Sequence, residues 1–170
     1  MVLRQHLAGG VVSEAVYSPC ERYRYTLTRV WDAAAPRVLF VMLNPSTATE
    51  VQTDPTVERC GRRARALGFG AVRVVNLFAL RATDPRVMRA EADPVGPCND
   101  VAILSGVLDW RPERVICAWG MHGQHLGRAG QVEEMLRGTG QRLWHLRLTA
   151  SGQPRHPLYI GYDRQPEVWE

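Results

Sequence analysis

A continuous run of six apolar residues, Val38-Leu39-Phe40-Val41-Met42-Leu43, constrains this chain more than any other stretch. A strand without polar alternation must be covered on both faces, and this one stops at the turn-forming Asn44-Pro45-Ser46. Three further runs share its character: Val72 to Leu77, Arg114 to Trp119 and Arg142 to Leu148. Between them the apolar spacing changes to three or four residues. Val57, Cys60, Ala64 and Leu67 follow Pro55; Val101, Leu104, Val107 and Leu108 follow Asn99; Leu126, Ala129, Val132 and Leu136 follow His122. Strands alternating with amphipathic helices predict an α/β fold whose main sheet is mostly parallel and four-stranded.

Before this core, Ala15 to Ser18 and Tyr23 to Trp31 read as two antiparallel strands around the turn signal Ser18-Pro19-Cys20. The expected organisation is one domain over residues 1–170, with a flanking N-terminal hairpin in 1–35 and the α/β core in 36–160. At 170 residues such a chain buries about two thirds of the surface it exposes when unfolded, enough for a preformed cleft. The opening MVLRQHLAGG lacks the apolar stretch of a signal peptide, and no run reaches the roughly 18 residues of a membrane span. A cytoplasmic monomer without membrane attachment is expected.

All 21 basic residues are Arg, so lysine chemistry and a Walker-type phosphate loop are absent. The net charge of +4 allows an anionic partner, although codon bias toward Arg gives the same composition. Cys20, Cys60, Cys98 and Cys117 are scattered, so neither a zinc ribbon nor an iron-sulfur cluster is suggested. His122 and His125 lack a carboxylate third ligand, and no metal or cofactor is expected.

In an open parallel sheet, ligands bind beyond the carboxyl ends of the strands. Those ends carry Asn44-Pro45-Ser46-Thr47, Asn76, Trp119-Gly120 with His122, and Arg155-His156-Pro157-Leu158. An amide ending a buried strand offers both a donor and an acceptor, as a nucleobase edge demands. On the helix after Pro55, Arg59, Arg62 and Arg63 lie opposite the apolar stripe and form either a phosphate-binding strip or a solvated face.

These strand-end residues resemble the uracil-DNA glycosylase superfamily. Phe40-Val41-Met42-Leu43-Asn44-Pro45-Ser46 is similar to its first motif, in the form with Asn before Pro, and Val74-Val75-Asn76-Leu77 to the strand that reads the base. Val115 to Gly120, with His122 and Gln124, resembles its third strand, and Arg155-His156-Pro157-Leu158 the opening of its second catalytic motif. The four matches keep the superfamily's order across residues 36 to 160. The whole chain is also similar to a bacterial domain family of unknown function, through LNPSTAT, VVNLFALRATDP, DPVGPCND, CAWG and GQPRHPLY.

The glycosylase resemblance implies a three-layer αβα fold and a monofunctional DNA glycosylase acting on a flipped base. Under it Asn44 orients a water toward C1′, Asn76 reads the base edge, Phe78 or Trp119 stacks on the base, and His156 hydrogen-bonds the departing base. Leu158 fills the gap in the stack, Pro45, Ser46, Thr47, Asp54 and Pro157 shape the substrate loops, and Arg59, Arg62, Arg63 and Arg155 hold phosphates. Asn44 cannot act as a base, so Asp54 or Glu50 is the remaining source of a carboxylate. A non-catalytic module recognising nucleic acid or a nucleotide, and an enzyme acting on a free nucleoside or nucleotide, are the alternatives.

Overall fold

The computed structural model describes residues 1–170. Eight strands form one sheet: β1 (Val2–Ala8), β2 (Val11–Tyr17), β3 (Arg24–Val30), β4 (Arg37–Met42), β5 (Ala71–Asn76), β6 (Arg114–Cys117), β7 (Leu143–His145) and β8 (Glu167–Val168). Their order is β1-β2-β3-β5-β4-β6-β7-β8. Four helices accompany them: α1 (Pro55–Ala66), α2 (Pro85–Ala90), α3 (Asn99–Leu108) and α4 (Arg128–Gly138).

The α/β class is as the sequence predicts, but the sheet is larger and more mixed than the expected four-stranded one. Four of its seven pairings are antiparallel: β1 with β2, β2 with β3, β3 with β5, and β7 with β8. The other three, β4 with β5, β4 with β6, and β6 with β7, are parallel. The N-terminal strands are therefore no separate hairpin. They form a three-stranded meander whose β3 bonds to β5 through Leu27 opposite Val74 and Val30 opposite Ala71. An almost wholly buried β5 would otherwise leave its backbone donors and acceptors unpaired at an edge.

Alternation along β4 explains its apolar run. Val38, Phe40 and Met42 pack with Cys60 and Ala64 of α1, whereas Leu39 and Val41 pack with Ile103 and Val107 of α3 and Val132 and Leu136 of α4. Helices thus cover both faces, and each buried aliphatic side chain contributes about 1.5–3 kcal/mol. The core also reaches beyond residue 160, because Trp169 packs edge-on against Trp119 with ring centroids 5.6 Å apart.

Helix α1 starts where the sequence places it. Asp54 Oδ1 accepts the Val57 N–H at 2.8 Å, Pro55 occupies the first turn, and Gly68 leaves the helix at φ +83°. The third amphipathic segment begins later than its periodicity suggests. Residues Met121–Gly127 form 3₁₀ turns broken at Leu126, which has φ +55°, and the α-helix begins at Arg128.

The strip expected to hold phosphates has a different task. Arg63 is 2% exposed and donates to the carbonyls of Arg164 at 2.6 Å, Ile160 at 3.2 Å and Gly161 at 2.8 Å. Arg59 donates to the carbonyls of Pro157 and Ile160, and both guanidiniums lie over the Tyr162 ring. Arg62 pairs with Glu58 one turn away. The helix therefore fastens an irregular C-terminal segment whose carbonyls lack ladder partners. Arg63→Met should cost about 2–3 kcal/mol in urea unfolding and expose residues 157–164 to limited proteolysis. Unchanged stability and cleavage would refute the fastening role.

Candidate functional site

Strands β5, β4 and β6 end together. Met42 stands opposite Asn76 and Val41 opposite Cys117, and the bonds continue past the strands, from Leu77 N–H to the Met42 carbonyl and from Ala118 N–H to Val41. Beyond this edge lies a cavity of about 680 Å³. Asn44, Asn76, Trp119 and His156 all line it, as do Ser46, Thr47, Asp54, Arg155 and Leu158.

Asn44 Nδ2 donates to the carbonyls of Ala82 at 2.6 Å and Pro45 at 3.0 Å. Both partners are acceptors, which fixes the amide's orientation and leaves Oδ1 for a ligand or water. Asn76 is only 1% exposed, and its Nδ2 has no partner in the protein. Leaving a buried donor unpaired costs about 1–3 kcal/mol, so an acceptor on a ligand would recover what folding gives up here. Its backbone is held from below, where Asn99 Nδ2 donates to the Asn76 and Leu77 carbonyls at 2.9 Å each.

His156 caps a short 3₁₀ turn, and its Nδ1 accepts the Leu158 N–H at 3.3 Å. The proton of the neutral ring must then reside on Nε2, which makes that nitrogen a donor. Burial holds the imidazole below its ordinary pKa, with Asp54 opposing the shift only in part. Gly120, at φ +73°, brings the end of β6 against this turn, and its N–H donates to the Pro154 carbonyl at 2.8 Å.

Trp119 is 1% exposed, with Nε1 donating to Gln153 Oε1 at 2.9 Å, so it forms a wall rather than an open stacking surface. Phe78 does not reach the cavity. Past Asn76 the chain leaves the strand, Phe78 N–H donates to the Leu43 carbonyl, and the ring is fully buried 5.7 Å from His125. Pro45 and Pro157 act through their carbonyls, and Pro157 is buried behind the cavity wall. Arg155 is exposed at the rim and makes no ion pair.

Asp54 is the only carboxylate in the lining, and both of its oxygens bind backbone: Oδ1 the Val57 N–H and Oδ2 the Ala48 N–H at 3.2 Å. Glu50 accepts from the Tyr17 hydroxyl at 2.9 Å. No group of three His, Cys, Asp or Glu side chains is placed to hold a metal ion. No helix is long and apolar enough to cross a membrane.

Arg24 is a buried lining residue that sequence reasoning missed. It is 2% exposed, its Nη1 donates to the Ala48 carbonyl at 2.5 Å, and its Nε has no partner. Burial lowers its pKa to about 10, so it remains charged at neutral pH. No sequence signal separated it from the solvent-facing positions of an alternating strand.

The His156 shift fixes the sign of a pH effect. The unfolded ring takes a proton near pH 6.5, and the folded ring only at lower pH. The unfolded state therefore binds more protons in that interval, and the stability His156 contributes is present above pH 6.5 and lost as pH falls. His156→Gln should flatten the fall in urea-unfolding free energy between pH 7 and pH 5, leaving the part due to His145, whose pKa burial also lowers. Identical pH profiles for the two proteins would contradict the assignment.

No curated protein and no solved structure matches this chain. The family described as protein of unknown function (DUF1643) matches residues 24–158, a span from the first residue of β3 through the His156 turn, and the chain belongs to that family.

Proposed function

We propose that the cavity receives a nucleobase flipped out of DNA and hydrolyses its N-glycosidic bond, on a fold of the glycosylase type. The observation that carries this reading is the buried, unpartnered Nδ2 of Asn76 in a cavity shared with Asn44 and His156. A carbonyl on the base edge accepts from Asn76. The C1′–N bond breaks with its electron pair passing to the base, and Nε2–H of His156 donates to the base oxygen where that charge gathers. Water held by Asn44 Oδ1 adds to C1′, and its proton leaves to solvent. Leu158 and the exposed Tyr159 stand at the mouth, where the strand would pass, and Arg155 is the cation there free to meet a phosphate.

A second reading, recognition without hydrolysis, is favoured by Asp54. Its oxygens each accept a backbone N–H that holds the loop and the start of α1, and no other carboxylate lines the cavity to take the water's proton.

Single-turnover assays decide between them, with protein in excess over oligonucleotides carrying uracil, mismatched thymine, hypoxanthine or hydroxymethyluracil, single- and double-stranded. Base release should fall about 100-fold or more in Asn44→Ala and His156→Ala. Asn76→Ala should change which base is released. Binding without release from any substrate would establish the recognition reading and end the catalytic one.

A further inference from the structure

We infer that Arg24 makes the inner wall of the cavity an oxyanion subsite that takes a phosphate group of the ligand. Arg24 is 2% exposed and lines the cavity, and its guanidinium makes one hydrogen bond, to the Ala48 carbonyl, while the buried Nε has no acceptor in the protein. None of the chain's ion pairs includes Arg24. Asp54 is the carboxylate whose charge acts on Arg24, yet the two form no ion pair, because each Asp54 oxygen accepts a backbone N–H. Arg29 and Arg81 act on Arg24 as further positive charges. Asp54 offsets the burial of this cation only in part, and without an ion pair a charge-bearing ligand oxygen would add to that compensation.

The start of α1 adds a second donor element to the same cavity. Asp54, Pro55 and Thr56 all line it. Pro55 has no N–H and the Val57 N–H is taken by Asp54, so the Thr56 N–H is the free donor of the first turn, beside its own hydroxyl. Guanidinium, hydroxyl and helix N–H together suit a group with several oxygens, and phosphate is such a group. The subsite rests on Arg24 and α1, and it stands whether or not a base is released. The phosphate comes either from a free nucleotide or from the strand beside a bound base.

The test follows the Arg24 Nε–H resonance in the full chain, assigned by its loss in Arg24→Lys. Inorganic phosphate is titrated against chloride at constant ionic strength. The resonance should move and Tm should rise with phosphate, and the Tm response should shrink in Arg24→Lys. A nucleoside 5′-monophosphate binding at least about tenfold tighter than its nucleoside identifies a free nucleotide as the source. A gain confined to a short single-stranded oligonucleotide identifies the strand. An unmoved resonance with no phosphate-specific rise in Tm overturns the subsite and leaves Arg24 as a loop fastener. Phosphate binding without base release in the earlier assay would refute hydrolysis and keep the subsite.

Discussion

Pairing of β4 on both of its edges is the constraint from which the site follows. A strand bonded to β5 on one side and β6 on the other has no free edge, and helices on both faces leave it no solvent. Parallel registry then sets the level at which all three strands stop. Met42 opposite Asn76 and Val41 opposite Cys117 deliver Asn44, Asn76 and Trp119 to one rim. A shift of β5 by one residue would turn Asn76 to the opposite face of the sheet and carry Val75 to the cavity side.

Arginine serves this chain largely as a fastener of backbone. Arg24 and Arg29 hold the loop after β4 through the carbonyls of Ala48, Thr49, Glu50 and Gln52, and Arg59 and Arg63 hold the segment after His156. Arg128, buried at the start of α4, donates to the Leu77 carbonyl and pairs with Asp100. These segments have carbonyls that no ladder satisfies, and a guanidinium offers several donors in one plane. A net charge of +4 therefore overstates the positive charge available to an external partner.

Among the lining residues, Asn76 Nδ2 and Arg24 Nε are donors without a partner, neutral His156 carries its proton on Nε2, and Asn44 Oδ1 is an acceptor. Such donors match acceptor oxygens on a ligand. The same set is poor at removing a proton.

The sequence by itself determined, to within a residue, where β4 and β5 end and where α1 starts, whereas β6 and β7 stop two and three residues short of the runs that announce them. Unbroken apolar runs report burial on both faces, and Asp54 before Pro55 specifies a cap, because these are local properties of backbone and side chain. Strand β1 escaped notice because its residues are mostly exposed, and β8 because two residues hold no period. Only the tertiary structure decided which side chains meet. Phe78, two residues past Asn76, would share its face if β5 continued, but the chain turns and buries the ring among the helices. The face of α1 carrying Arg59 and Arg63 reads as solvated until the C-terminal segment covers it. Arg24 looks like an outward residue of an edge hairpin until β3 joins β5 and the loop after β4 folds over it. Periodicity states that a face is covered, and the identity of what covers it comes from contacts distant in the chain.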